Sequence, residues 1–304
     1  MPHTPSHLPD QSSLKAAIYM ALAMAAFPCN DTLMKLLAHQ LPVGTLIFVR
    51  GLFASALILM AIGGTGALRH LPHVLTPAIA LRAFMDTIAT LLFISALMRM
   101  PIANITSINQ TVPLVVTGLA ALFLGERVGW RRLAAIALGF VGVTLIVKPD
   151  ITKLDGTALL ALVLVLTLAV RDILTRRIHG SVPALVVALA NSLFVLSGAF
   201  VLSFFEGGLV MPGPGQVAVL AAAGLFLALG YHFMVQTLRF ADVSVSAPIR
   251  YTVVLWSLLS GIVVFGELPD AWAWLGIGLV VATGLYSLHR EAVLKRSAAD
   301  VSRT

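Results

Sequence analysis

Two hydrophobic runs of this 304-residue chain end on the same pattern of charges, an acid followed four residues later by a base. The pairs are Asp31 with Lys35 and Asp172 with Arg176. Side chains four residues apart share one face of a helix, and the acid-first order favours an ion pair. Each acid is therefore expected to stay ionised, because its base neutralises it and extends to water. The pairs either brace two helix ends or act as gate elements that make and break contacts.

Further charges lie inside hydrophobic runs, where each costs roughly 2.5–3.5 kcal/mol on insertion scales. Arg50 and Arg250 have no acid nearby in sequence, so each needs a partner on another segment or an anionic group of a ligand. Arg82 and Asp86 are four residues apart and either neutralise each other or face a water-filled cavity. The candidate cavity residues are Arg50, Arg82, Asp86, Asn109, Gln110, Tyr231, His232, Arg250, Tyr251 and Trp256.

Several of these residues also have a purely structural interpretation. Arg171 lies near the end of its run and can extend its guanidinium to water. The polar side chains between 104 and 110 can hydrogen-bond between helices. His232 can form an interior polar pair with Tyr231, and aromatic residues such as Trp256 can simply pack.

The composition predicts that membrane spans hold these residues. The chain is 59% hydrophobic and 11% charged, with a mean hydropathy of +0.98, which excludes an ordinary soluble domain. Its bases alternate with apolar runs, so the net charge of +7 is interpreted as a topology signal rather than a nucleic-acid site. A span needs about 20 mostly apolar residues. The ten runs that qualify are 14–37, 44–62, 76–98, 101–124, 130–147, 156–176, 183–205, 215–239, 243–265 and 271–289.

Basic residues at the ends of the runs predict the orientation. Twelve lie at the ends that share a side with the N-terminus, and four lie at the opposite ends. Because basic residues accumulate in cytoplasmic loops, both terminal tails, 1–13 and 291–304, are expected in the cytoplasm. The bilayer is expected to be an inner (plasma) membrane of the bacterial type.

The chain also repeats itself after 141 residues. This shift carries Asp31 to Asp172, and it carries the Gly-Glu at 125–126 to the Gly-Glu at 266–267. The halves 14–149 and 150–290 each hold five runs, so the second half is expected to enter the membrane in the opposite orientation. Glu126 and Glu267 are each expected at the positive N-terminal end of the helix that follows.

Two segments resemble the EamA-type repeats of the drug/metabolite transporter superfamily. The first is 108–147, with "LGER" at 124–127, and the second is a looser copy at 246–284, with "FGEL" at 265–268. The resemblance implies an all-α integral membrane protein whose ten transmembrane helices form two inverted five-helix repeats around a central cavity. It also implies a secondary active transporter that exports small metabolites by alternating access, with amino acids as the expected substrate. The alternatives are a drug or nucleotide-like cofactor transporter of the same fold, a channel or a membrane-embedded enzyme.

The expected partners are a small-molecule substrate and the lipid bilayer. Cys29 is the only cysteine, and the chain has no ATP-binding P-loop and no metal-ligand motif, so no cofactor or metal is expected. Glycines in the fifth and tenth runs offer small faces that could brace the bundle or a homodimer. They are Gly139, Gly142, Gly276, Gly278 and Gly284.

Overall fold

The computed structural model describes residues 11–65, 72, 76–124, 130–148, 156–175, 182–240 and 248–301, and these contain helices and no strand. The first half provides α1 (Gln11–Leu36), α2 (Val43–Thr65), α3 (Pro77–Leu97), α4 (Ile102–Asn109), α5 (Val112–Leu124) and α6 (Trp130–Val147). The second half provides α7 (Gly156–Thr175), α8 (Ala184–Phe205), α9 (Pro214–Phe240), a 3-10 turn (Pro248–Tyr251), α10 (Thr252–Phe265) and α11 (Ala271–Val301).

Six helical segments in the described part of the chain are long and apolar enough to cross a membrane. They are α2, α3, α8, α9, the 3-10 turn with α10, and α11. Three further helices, α1, α6 and α7, coincide with predicted runs, so the count of ten spans stays a prediction.

The predicted span 101–124 is two helices, α4 and α5, that are interrupted at Gln110 and Thr111. Pro113 explains the interruption, because it has no amide to donate and is tolerated only in the first turn of a helix, where α5 begins. In the corresponding span of the second half, a 3-10 turn over Pro248–Tyr251 precedes α10. Pro28 is accommodated inside α1, where the hydroxyl of Thr32 donates to its carbonyl at 2.7 Å.

The helices pack mainly across the two halves: α1 on α9, α3 on α7, α2 on α8 and α6 on α11. Lys35 at the end of α1 reaches Met100, just beyond the end of α3. Thr175 at the end of α7 instead reaches Arg82, near the start of α3. α1 and α7, the first helices of the two halves, therefore run in opposite directions.

Glycines bring α6 and α11 into direct backbone contact. A Cβ atom on Gly142 would lie 2.9 Å from the carbonyl oxygen of Gly276, and one on Gly276 would lie 2.6 Å from that of Gly142. Gly278 faces open space. The contact between Gly142 and Gly276 therefore braces the bundle within one chain, and a homodimer stays a prediction.

Candidate substrate cavity

A cavity of about 360 Å³ lies between the two halves, a size suited to a small metabolite. Its wall combines residues of α1 to α4 with residues of α7, α8, α9 and the start of α10. Seven of the ten predicted cavity residues line it: Arg50, Arg82, Asp86, Asn109, Gln110, Tyr231 and Arg250. Asp31, Asn30, Arg171 and Asn191 are also in the wall, and Phe27, Phe93 and Met24 add apolar surface.

Arg171 connects the two halves at this cavity. Its Nη1 donates to Asp86 at 2.6 Å, and its Nε and Nη2 donate to Asp172 at 2.9 and 2.8 Å. The antiparallel packing of α3 and α7 places this guanidinium opposite Asp86, and its planar fork serves both carboxylates. Two sequence interpretations are therefore wrong: Asp86 is not neutralised by Arg82, and Arg171 does not merely extend to water.

Among the described residues, Arg82 has only uncharged hydrogen-bond partners. Its Nε donates to the hydroxyl of Thr175 at 2.8 Å, and its Nη1 donates to the side-chain carbonyl of Asn191 at 2.7 Å. Both acceptors lie in the second half, so Arg82 also joins the halves, but no acid in the described part of the chain forms an ion pair with it.

Arg50 is the most deeply buried charge in the wall, with 4% of its surface exposed. Its Nη1 donates to the side-chain oxygen of Asn30 over a long 3.4 Å, and the amide of Asn30 donates to Asp31 at 2.8 Å. Nε of Arg50 is buried without a hydrogen-bond partner, and so is the side-chain oxygen of Asn109. Asp31 is near enough to interact electrostatically with Arg50, but no ion pair joins the two described side chains.

Lys35 does not pair with Asp31, so that prediction is wrong. Its Nζ donates to Glu267 Oε1 at 2.5 Å and to the carbonyl of Met100 at 2.8 Å. Glu267 Oε2 also accepts from the amide of Ile102 at 3.1 Å, at the start of α4. The ends of α1 and α10 meet there, so Lys35 pairs with an acid that lies just beyond the end of α10.

Glu267 was expected to stabilise the start of the helix that follows it, and this is also wrong. Gly266, the residue before it, adopts the left-handed conformation with a φ of 66° and ends α10, so the chain changes direction before Glu267. Asp270 occupies the start of α11 instead and accepts from the amide of Ala273 at 2.9 Å. Glu126 and Arg176 lie outside the described residues.

The other predicted cavity residues lie elsewhere. Tyr251 is buried, and its hydroxyl donates to the carbonyl of Gln110 at 3.4 Å. It lines a neighbouring pocket of about 190 Å³ together with Asp172, Arg250 and others. His232 lies 3.4 Å from the amide of Gln236 and is not in the wall of the cavity. Trp256 is also outside this wall, and 42% of its surface is exposed.

Five polar residues of the wall were not predicted from the sequence: Asn30, Thr90, Thr106, Asn191 and Ser192. A signal existed for Asn191, because an amide in the middle of a 22-residue apolar helix needs a partner inside the protein. Asn30 is adjacent to Asp31, and the spacing of Asp31 and Lys35 favours an ion pair within one helix, so the sequence gives no separate signal for Asn30.

Comparison with known proteins identifies the architecture. The sequence profile of the EamA-like transporter family matches residues 14–148 and again residues 156–287. The chain belongs to this family. It is therefore an integral membrane protein and a small-molecule transporter of the drug/metabolite superfamily rather than an enzyme.

Several named transporters are similar to this chain over most of their length. A riboflavin transporter of Rhizobium johnstonii is 28% identical over 76% of this chain and 73% of that protein. A riboflavin transporter of Vibrio cholerae is 26% identical over 95% of this chain and 98% of that protein. An S-adenosylmethionine uptake transporter of Rickettsia conorii is 22% identical over 90% of this chain and 92% of that protein.

The fold also has a counterpart among solved structures. A protein of known crystal structure matches with a TM-score of 0.60 and 17% identity, over 88% of this chain and 94% of that one. This likeness supports the helical arrangement and gives no information on the substrate.

Proposed function

We propose that this chain is a secondary carrier that moves a cofactor-sized metabolite through the central cavity by alternating access. The observation that carries the proposal is a 360 Å³ cavity whose charged wall is built jointly by both halves of the chain. Buried charges are costly in a membrane protein and are retained where they line a substrate or ion pathway. The opposite directions of α1 and α7 support ten spans in two inverted halves, the architecture that allows such a cavity to open to either side.

The names of the relatives support a heterocyclic substrate of cofactor size rather than the amino acid expected from the sequence. Riboflavin and S-adenosylmethionine both contain flat ring systems. The cavity provides aromatic surface for such a ring, since Phe27 and Tyr231 meet edge to face at 5.8 Å between ring centroids. Amino acids remain the second candidate, because Asp31 and Arg50 in the same wall match the ammonium and carboxylate groups of a zwitterion.

Two features support a carrier mechanism in which this conformation is closed at the Lys35 end. The pair between Lys35 and Glu267 ties the ends of α1 and α10 together. The 190 Å³ pocket shares Asn109, Gln110, Arg171 and Arg250 with the cavity, which extends a polar route toward Asp172. With both tails on the cytoplasmic side of an inner membrane, the Lys35 end of the cavity faces outward and the Asp172 end faces the cytoplasm. Such a carrier works in either direction, so the predicted export and the uptake named for the Rickettsia protein fit one mechanism.

Counterflow in proteoliposomes tests this proposal. Vesicles preloaded with riboflavin, S-adenosylmethionine or a mixture of amino acids are diluted into the same labelled compound. A carrier accumulates label transiently and saturably, and we expect this for a ring-containing compound. Linear, unsaturable entry would indicate a channel, and the absence of accumulation for every compound would overturn the proposal.

The matched variants for this assay are Asp86→Asn, in the wall, and Arg99→Gln, at an exposed position beyond α3. We expect the first to reduce counterflow and the second to leave it unchanged. Equal loss in both variants would indicate a general effect on folding.

A further inference from the structure

We infer that the transported molecule carries an acidic group and that the guanidinium of Arg50 binds it. This inference rests on the proposed carrier function and adds the charge class of the substrate. The inferred ligand is a small organic anion that carries a carboxylate or a phosphate and at least one hydrogen-bond donor.

The charge of the cavity wall is unbalanced. Four arginines line it, Arg50, Arg82, Arg171 and Arg250, but only two aspartates do, Asp31 and Asp86. Asp86 is already paired with Arg171. Among the described residues, Arg82 donates only to uncharged groups, and none accepts a hydrogen bond from the guanidinium of Arg250.

Arg50 carries the inference because its charge is both buried and poorly matched. Its guanidinium forms one hydrogen bond to a described residue, a long one of 3.4 Å from Nη1 to Asn30. Nε has no partner, and Nη2 forms no hydrogen bond to a described residue. This outer edge, formed by Nε and Nη2, is the one that binds a carboxylate or phosphate with two parallel hydrogen bonds.

A buried charge without a partner is costly, so its retention in a cavity indicates a ligand that completes it. Asp31 compensates Arg50 in part, but Asp31 takes its hydrogen bond from Asn30 rather than from the guanidinium. Nε and Nη2 of Arg50 therefore have no acceptor among the described residues.

Asn109 adds a second requirement on the same ligand. Its side-chain oxygen is a buried acceptor with no partner among the described residues, and the residue lies in the wall of both the cavity and the neighbouring pocket. A ligand that donates an N–H or O–H to this oxygen satisfies it. The combination of an anionic end and a donor separates the proposed class from neutral apolar drugs.

Binding to the purified full-length protein tests the inference with ligand pairs that differ in one acidic group. Flavin mononucleotide against riboflavin is the phosphate arm, and nicotinate against nicotinamide is the carboxylate arm. We expect at least one acid to bind roughly 10-fold or more tightly than its neutral partner, as for a hydrogen bond to a charged group. Arg50→Gln should weaken binding of that acid roughly 10- to 100-fold and leave its neutral partner unaffected. Arg99→Gln, which removes an exposed arginine, should keep the preference.

The thermal stability of the ligand-free variants distinguishes a binding role from a structural one. Arg50 is poorly matched without ligand, but it also compensates Asp31 in part, so Arg50→Gln should fold and melt close to the parent. If that variant does not fold, Arg50→Lys replaces it, since it keeps the charge but cannot provide the two-pronged edge. The inference is overturned if neither acid is preferred, or if the preference survives in the Arg50 variant. Counterflow with no preference for acids would remove this inference alone, whereas no counterflow with any compound would remove the carrier function.

Discussion

The pair between Lys35 and Glu267 gives the most direct test of how the cavity opens. Glu267→Gln removes the charge but keeps a carbonyl oxygen that can still accept from the amide of Ile102, so the change is confined to the ion pair. The side chains of the pair are 11% and 24% exposed, between a buried and a surface ion pair. An exposed pair contributes about 0–1 kcal/mol, and a hydrogen bond to a charged group about 1.5–3 kcal/mol. We therefore expect the closed form at this end to lose about 1–2 kcal/mol.

This loss predicts a measurable shift between conformations. A change of about 1–2 kcal/mol alters the ratio of two states roughly 5- to 30-fold. If Lys35 and Glu267 hold one end of the cavity closed, Glu267→Gln should raise the population open at that end by this factor. The open population at the opposite end should fall, because the two openings exclude each other.

Alkylation of a cysteine inside the cavity measures this shift. Thr90→Cys places a reporter in the wall, in a background where Cys29 is replaced by serine. Right-side-out and inverted vesicles expose the two ends separately to a membrane-impermeant maleimide. Glu267→Gln should speed modification from the Lys35 end and slow it from the other.

The control is the pair between Lys148 and Asp270, whose side chains are 43% and 57% exposed. Lys148→Met removes an ion pair that is largely screened by solvent, so we expect little change in either rate. Unchanged modification rates in Glu267→Gln, together with a lower melting temperature, would show that this pair is only a brace. The gating argument would then be refuted.

Three further outcomes follow from the contacts at the cavity and between α6 and α11. Asp86→Asn should lower thermal stability by about 1.5–3 kcal/mol, measured by fluorescence-detected unfolding, because Arg171 loses one of its two carboxylates. Gly142→Ala should cost about 1–3 kcal/mol in the same assay because its methyl group would meet a backbone carbonyl at 2.9 Å, whereas Gly278→Ala, which meets open space, should be neutral. His232→Asn should leave the apparent KM of counterflow within about twofold of the parent, since this residue is not in the wall of the cavity; a larger change would show that it contacts the substrate.

Apolar run lengths predicted most helices of the described chain to within a few residues, because a span is fixed by the thickness of the bilayer. The interruption between α4 and α5 could be predicted only in part. Pro113 indicates an irregular span, but the sequence alone does not show whether the helix continues through the proline, as α1 does at Pro28, or stops and restarts as a second helix. That choice depends on the neighbouring helices that satisfy the released backbone groups.

The site was harder to predict than the fold because the spacing of charges along a sequence predicts ion pairs only between neighbours on one helix. Spacing by four residues made Asp31 the expected partner of Lys35, but such a pair stabilises a helix by only about 0.2–0.5 kcal/mol. An acid from another helix, already held in place by a backbone amide, competes successfully, and Glu267 is such an acid. The same argument applies to Asp86, which takes Arg171 from α7 in place of Arg82 from its own helix.

These exchanged partners share one property that bears on transport. Lys35 pairs with Glu267, Arg171 with Asp86 and Arg82 with Asn191, and in each case the two residues come from different halves of the chain. An ion pair within one helix is carried along when that helix moves, so it cannot report or oppose a motion of one half against the other. A pair between halves must stretch or break when they move. These contacts between the halves therefore place part of the protein's electrostatic interactions where an opening cavity has to change them, although Arg171 also keeps a local partner in Asp172.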